Sequence, residues 1–495
     1  MAIKLLRHFF PITWKEAPRF FLLISIFFTV TFNTKILKIL KDALIITAPD
    51  SGAETIPFLK TWMLIPFSLI LINLYDRLSD WLSKEKLFYY FTGGFLAFFL
   101  FFTVVLFPNR EMLHFHGLCD YLEYLLPLGF KGFISIFRHW TFSLFYVMAE
   151  MWPTILLSFI FWNFIACNVT EGEAKRFYGL FSLDFGGLAA GGITVLLSRV
   201  DWGFLYVDKW HGYMSGLVGV ITVAGLAQMG LYHLYQRKYI KEAPIKQPVP
   251  EKGASRSKMT LKEKFQSISE SPTLFYIAVC VFCFEFTDQL VEVVWKDQVS
   301  QLYTTPWEFS EYMAKITWMT GVLGILVVFG ISSFILREKP WIVGGLITPI
   351  ILISTSLLFF SVMLIPSFAN FLGRLSGKDP MVLIVTIGSV RSILMQVAKY
   401  TFFDNTKELA FLRFPEEIRL RGKGLSDAFA SRLGKSVSSL SHQSLLLGLH
   451  SLTVAAPVIA IMVLSSAAAW LHSVFSLGKA ISTSQEEGGE FSASA

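Results

Sequence analysis

Apolar runs long enough to cross a bilayer recur along this chain from Phe20 to Trp470, separated by short polar stretches. A run of about 20 apolar residues is what spans the hydrocarbon core as a helix, because in lipid the backbone must satisfy its own hydrogen bonds. The composition agrees. The 495 residues are 54% hydrophobic and 16% charged with 49 Phe, and the mean hydropathy is +0.56, far too apolar for a soluble chain. The expected fold is an all-α polytopic membrane protein of about twelve helices. The spans fall near 20–46, 62–76, 87–107, 140–165, 177–199, 213–236, 273–297, 313–336, 340–366, 381–403, 425–449 and 452–475. No polar stretch is long enough to fold as a catalytic domain, which excludes a built-in nucleotide-hydrolysing motor and argues against an enzyme.

The net charge of +7 comes from basic residues in short loops beside the spans, where they set orientation and do not signal nucleic acid. The N-terminus (Lys4, Arg7, Lys15, Arg19) and the polar stretch Arg237 to Lys264 are both basic. Both therefore belong in the cytoplasm, an even number of spans apart. The predicted organisation is a six-helix half over 1–236, a basic cytoplasmic linker over 237–272, a second six-helix half over 273–481 and a disordered polar tail over 482–495. Cys119, Cys167, Cys280 and Cys283 form no disulfide framework. Cys280-x-x-Cys283 has no second pair or nearby His, so it reads as helix filler, and neither a metal nor a cofactor is expected. No cleavable signal is visible at the N-terminus.

Three short motifs recur at nearly one offset. Lys41-Asp42 returns as Lys296-Asp297 after 255 residues, Thr61-Trp62-Met63 as Thr317-Trp318-Met319 after 256, and Ala174-x-Arg176 as Ala430-x-Arg432 after 256. In order and in equivalent spans, they argue for a duplicated six-helix unit. Two parallel halves are the plan of the major facilitator architecture, whose substrate site lies between the halves near mid-membrane.

Charges inside the spans point to the cargo. The stretch Thr29 to Ile46 carries Lys35, Lys38 and Asp42 on one helical stripe, with Lys41 one residue round from it. A charge deep in a membrane helix costs about 3 kcal/mol or more unless it faces a partner or a watery cavity. Several cations on one such face suggest an anion path. In the seventh span Glu285, Asp288 and Glu292 stand at i, i+3 and i+7 on one face. These stripes either pair across a cavity and release the lysines to an entering anion, or form permanent ion pairs. Glu150 is a lone carboxylate beside Pro153 in the fourth span. Lys435 follows Gly434 in a Gly-Lys-Ser triplet, but Phe429 occupies the place of the glycine that a phosphate-binding loop requires. Lys435 remains a cation at the head of a membrane helix. Asp404 and Lys407 close the tenth span before a basic loop, as gating residues or as an orientation signal. Gly186-Gly187, Gly191-Gly192 and Gly212-x-x-x-Gly216 read as notches for helix packing.

Six segments, Lys41–Trp62, Phe145–Trp152, Glu173–Phe181, Leu290–Tyr303, Lys399–Phe411 and Ser431–Ser436, resemble in order and spacing the ATP/ADP translocases of plastids and obligate intracellular bacteria. The chlamydial-type nucleotide transporters are most similar. The resemblance implies twelve spans and movement of nucleotides without hydrolysis. It also carries over four charged positions: Lys41, Glu150, Glu292 and Lys435. Lys41 and Lys435 would hold the polyphosphate with Lys38 in support, while Glu150, Glu292, Asp288, Asp404 and Lys407 would serve gating or coupling. The exchangers' Arg-Asp-Thr before the Lys-Asp pair is Lys38-Ile39-Leu40 here, and the Gly-Gly after the late Gly-Lys-Ser is Val437-Ser438. Both ATP:ADP-type exchange and proton-coupled uptake of nucleoside triphosphates thus stay open. A carrier of a dinucleotide or sugar phosphate shares the same charge logic. The expected partners are nucleotides, possible coupling protons and lipid, for a monomer in a bacterial inner membrane.

Overall fold

The computed structural model describes residues 16–169, 183–204, 206, 208–241, 272–332, 335, 338–411 and 429–493, with Glu173 and Phe181 as isolated positions. Every regular element among them is helical. Ten helices are long and apolar enough to cross a membrane. With two further helices they are numbered in chain order as α1 (Ala17–Ile46), α2 (Thr55–Trp81), α3 (Lys84–Leu106), α4 (Trp140–Asn168), α5 (Phe185–Ser198), α6 (Lys209–Ile240), α7 (Pro272–Leu302), α8 (Pro306–Ile331), α9 (Trp341–Leu364), α10 (Pro380–Phe411), α11 (Ser431–Leu449) and α12 (Leu452–Ala493). The two outside the ten are the fifth and eleventh expected spans. α5 is short, and α11 is rich in serine and carries His442 and Gln443. Its polar side faces inward: Gly434, Ser438, Ser439, His442 and Gln443 are buried, while Leu440 and Leu447 are exposed. The apolar part of α12 ends at Ile481, and the helix runs on to Ala493 through residues whose composition reads as a disordered tail.

The chain divides into two compact units, Met1–Glu251 with Tyr303–Ile325, and Lys252–Leu302 with Leu326–Ala495. Most of α8 therefore packs in the first unit, although sequence order places it in the second half. Of the expected linker, residues 242–271 lie outside the described residues, as do Ala174 and Arg176 of the third repeated motif.

In the first unit α1 is the central helix, packed against α4, α5 and α6. Pro18 starts it, and buried Leu23, Ile26, Val30 and Leu37 recur at helical spacing along it. Polar ties hold the neighbours: Asn33 Nδ2 donates to the Ile221 carbonyl at 3.1 Å and Trp152 Nε1 to the Val30 carbonyl at 3.2 Å. Asp184 caps α5, accepting from the Gly187 N–H at 2.9 Å. Glycines then set the spacing of the helices. A Cβ on Gly191 would stand 2.5 Å from the Trp318 backbone nitrogen, and one on Gly321 2.7 Å from that of Leu188, so α5 and α8 touch through their backbones. Gly212 and Gly216 instead make room for the side chain of Trp202.

In the second unit α7 takes the same central place, packed against α10, α11 and α12. The first helix of each unit thus meets the corresponding fourth, fifth and sixth, which is how the sequence duplication appears in packing. Gly388 lets the Trp295 and Phe359 rings approach α10, and Trp295 Nε1 donates to Ser389 Oγ at 3.2 Å. Asp379 caps α10 by accepting from the Met381 N–H at 2.7 Å. Single stretches of wider π turn interrupt α2 at Leu59–Leu64, α4 at Pro153–Phe161 and α10 at Lys399–Phe403, as happens where side chains are re-aimed at functional positions.

The connection from α3 to α4 carries short helices at Arg110–Leu113, His116–Leu125 and Lys131–Arg138 and a chain of buried histidines. The Pro49 carbonyl can only accept, so His139 Nε2 donates to it at 2.7 Å. His139 Nδ1 then accepts from His114 Nδ1 at 3.3 Å, and His114 Nε2 accepts from the Thr141 hydroxyl at 2.6 Å. Both rings are neutral in this arrangement. Burial, with His139, His116 and Arg110 nearby, pulls His114 down to about 3, and burial likewise lowers His139.

Two predictions follow from this packing. Gly191→Leu or Gly321→Leu should lower the midpoint of thermal unfolding in detergent by several degrees, whereas Gly219→Leu, whose Cβ would meet open space, should not; equal midpoints for all three would refute the close α5–α8 contact. Since His114 is neutral in the fold but titrates near 6.5 when unfolded, the unfolded chain binds more protons below that pH. Stability present above about pH 6.5 should decline as pH falls toward 3. A His114→Gln variant should show a shallower decline in the same melting series.

Candidate functional site

Lys41 closes the polar end of α1. Its Nζ lies 2.8 Å from Asp42 Oδ1, 3.0 Å from Glu150 Oε1 and 3.9 Å from the centre of the Tyr146 ring. The Lys41 side chain is 4% exposed, Asp42 0% and Glu150 30%, so one enclosed ammonium faces two carboxylates and an aromatic face. Glu150 stands one turn before the π stretch that begins at Pro153, and Lys60, on the π turn of α2, is near enough to act on it electrostatically. Lys35 pairs with Asp184 at 2.6 Å, so the cap of α5 also anchors the lysine stripe. Lys38 is half-buried on the same side of α1.

The acidic stripe of α7 forms the polar seam of the second unit. Glu285, Asp288 and Glu292 are each half-buried between fully buried neighbours. Glu285 Oε1 lies 3.0 Å from Lys399 Nζ and Oε2 lies 3.4 Å from Lys435 Nζ, and the Ser431 hydroxyl also hydrogen-bonds to this carboxylate. Asp288 Oδ1 meets Arg391 Nη1 at 2.9 Å. Glu292 pairs with Lys296 one turn on at 2.9 Å. The sequence pairs this stripe with the lysines of α1, but Glu285 and Asp288 draw their cations from α10 and α11, inside their own unit. Asp404 and Lys407 stand 3.7 Å apart at the end of α10; the basic loop that follows lies outside the described residues.

Lys399 and Arg391 are the charged residues that sequence reading passes over. Each is a lone cation in an apolar run, the same signal that singles out Glu150. Arg391 is 1% exposed, and its Nε and Nη2 have no hydrogen-bond partner among the described residues. Asp288 therefore supplies most of the compensation for this buried guanidinium. No group of His, Cys, Asp and Glu among the described residues has the arrangement of a metal site.

Residues 1–481 match the TLC ATP/ADP transporter family. The chain is 35% identical to ADP,ATP carrier protein 1 of Chlamydia pneumoniae, over 96% of this chain and 94% of that one. Identity to ADP,ATP carrier protein 4 of Rickettsia felis is 31% over 96% and 94%, and to the chloroplastic ADP,ATP carrier protein 2 of Arabidopsis thaliana 32% over 93% and 74%. Among solved structures, the chain resembles a bacterial homologue of the iron transporter ferroportin, with TM-score 0.53 and 12% identity over 92% of this chain and 97% of that one. It also resembles a D-xylose-proton symporter, with TM-score 0.53 and 14% identity over 92% and 96%. At such identities the likeness is one of fold, and it makes the architecture major-facilitator-like.

Removing one partner of a buried ion pair costs on the order of 3 kcal/mol, because the other charge stays behind uncompensated. Asp288→Leu should therefore sharply reduce the yield and melting temperature of folded protein, and Asp288→Leu with Arg391→Leu should recover most of the loss. A double variant as unstable as the single would show that the pair is not the reason.

Proposed function

Because the chain belongs to the TLC ATP/ADP transporter family, we propose that it is a secondary active carrier of nucleotides in a bacterial inner membrane, with both termini in the cytoplasm, working by alternating access. The observation that carries this reading is that a chain similar to ADP,ATP carriers over 96% of its length pairs a lysine with a glutamate of a membrane-spanning helix in each of its units, Lys41 with Glu150 and Lys435 with Glu285. Lys41 and Lys435 hold the phosphates, and Lys38 supports them. Glu150 competes with the substrate for Lys41. It is the more exposed of that lysine's two carboxylate partners and so the one able to swing away. Glu292, the last member of the α7 stripe, holds a corresponding pair with Lys296 one turn further on. Asp288, Asp404 and Lys407 act as gating pairs that re-form between states.

ATP:ADP-type exchange is the favoured mode. Proton-coupled uptake is the second reading, supported by Lys38-Ile39-Leu40 at the place of the exchangers' Arg-Asp-Thr and by half-buried carboxylates, which serve equally as lysine partners and as proton carriers.

The test is uptake of labelled ATP, GTP, CTP and UTP into proteoliposomes, with and without internal ADP and a protonophore. Both modes saturate; exchange predicts uptake stimulated by internal nucleotide and insensitive to the protonophore, whereas symport predicts uptake that needs no internal nucleotide and that the protonophore abolishes under an imposed inward proton gradient. Lys41→Ala should lower uptake at least tenfold, as expected for loss of a charge-assisted phosphate contact in a dry site. Undiminished uptake by that variant would remove Lys41 from the mechanism. Uptake of a sugar phosphate or dinucleotide, with no nucleotide moved, would overturn the substrate class.

A further inference from the structure

The two charged clusters are built on the same packing plan but with opposite balance in their direct contacts. Around Lys41 one ammonium contacts two carboxylates, and Lys60 within electrostatic reach of Glu150 brings the wider count there to two of each sign. Around Glu285 two ammoniums share one carboxylate. Among the described residues Asp404 is a second carboxylate within electrostatic reach of Lys399, and it has Lys407 beside it, so the cationic surplus of the second cluster survives this wider count. Accessibility differs in the same sense: Lys435 is 53% and Lys399 26% exposed, against 12% for Glu285 and 4% for Lys41. The carboxylate is covered, Lys399 is half-buried and Lys435 is open.

From this geometry we propose that Lys399, Lys435 and Ser431 form a phosphate subsite centred on Glu285, at which the Glu285 carboxylate is the resident anion that a substrate phosphate displaces. The proposal rests on reading the chain as a nucleotide carrier and adds Lys399 and Glu285 to its binding residues. A phosphate offers oxygens in a spacing close to that of a carboxylate, so a cation pair arranged for one accepts the other. The cluster is held to shape by backbone. A Cβ on Gly434 would stand 2.7 Å from the Phe282 carbonyl oxygen and 3.2 Å from Glu285 Cβ, so only glycine lets α11 come close enough for both Ser431 and Lys435 to reach α7. Lys399 arrives from a different helix, on the π turn of α10, over the face of the Phe284 ring at 4.9 Å.

The substitutions have opposite expected effects, which a purely structural role would not produce. Lys399→Gln leaves Glu285 paired with Lys435, so the variant keeps its buried carboxylate compensated; its half-saturating nucleotide concentration in proteoliposome uptake should rise about tenfold. Glu285→Gln removes the resident anion, so half-saturation should fall several-fold while the maximal rate also falls, because nothing then helps to expel the phosphate. Lys315→Gln, which breaks the half-exposed pair with Glu311, is the control and should match the parent. Unchanged half-saturation in Lys399→Gln, or a rise in Glu285→Gln, would overturn the subsite. Thermal stabilisation of the purified full chain by ATP and by inorganic phosphate provides a second measurement free of transport. If the parent chain moves no nucleotide yet is stabilised by phosphate, and Lys399→Gln loses that stabilisation, the carrier reading fails and the subsite stands. If neither anion stabilises the parent, the subsite fails on its own account.

Discussion

Charge compensation across neighbouring helices is the interaction on which this structure depends. An ammonium or guanidinium enclosed among apolar side chains loses hydration worth several kcal/mol and is tolerated only with a partner in contact. Lys41, Lys399 and Arg391 each find that partner on an adjacent helix, α4 for the first and α7 for the other two. The pairs consequently fix which faces of α1 and α7 meet α4 and α10. A slip of one residue in either helix would leave a carboxylate or a cation alone in a dry interior.

Duplication of the scaffold has not meant duplication of its charges. α1 and α7 occupy the same place in their units, each against the fourth, fifth and sixth helices. In the first unit α1 brings the cation and α4 the carboxylate. In the second, α7 brings the carboxylates and α10 the cations. The packing plan, set by glycines and apolar spacing, tolerates this reversal because an ion pair of either polarity fills the same space. The same backbone therefore supports two polar seams in which the cation and the carboxylate have exchanged helices.

Much of this was legible in the residues, for reasons that also mark where reading stops. Apolar runs separated by basic loops specify helices through lipid, and the Lys-Asp and Thr-Trp-Met repeats specify the duplication. α11 escapes the hydropathy criterion because its polar face, with Ser439 accepting from Gln289 at 2.9 Å, points inward. Glu150 declares itself as a lone charge among apolar neighbours, Lys41 as one of several cations in a membrane helix, and Lys435 as a cation at the head of one. Their partners do not, because pairing depends on which helices touch and at what height, and three helices and their connections separate α7 from Lys435. Arg391 and Lys399 carried the same local signal as Glu150, and what hid their importance was that the acidic stripe of α7 already had apparent partners in α1. The assignment of most of α8 to the first unit was hidden for a similar reason: Gly191 and Gly321 declare a close approach but not to which helix.

Resident carboxylates have a physical logic in any carrier of polyanions. Two bare ammoniums in a low-dielectric cavity would bind a phosphate too tightly to let it go, and without the phosphate they would themselves be costly to desolvate. A carboxylate already in contact lowers both quantities together. It neutralises the cations when the site is empty, and it returns as a competitor when the anion must leave. The net affinity is then a difference between two similar contacts, which keeps the loaded and unloaded states close in free energy, as a cycle through both requires. On the carrier reading proposed above, the partial exposure of Glu150 and the bridging position of Glu285 between two lysines belong to one design, in which the anion that holds the lysine is also the one that gives it up.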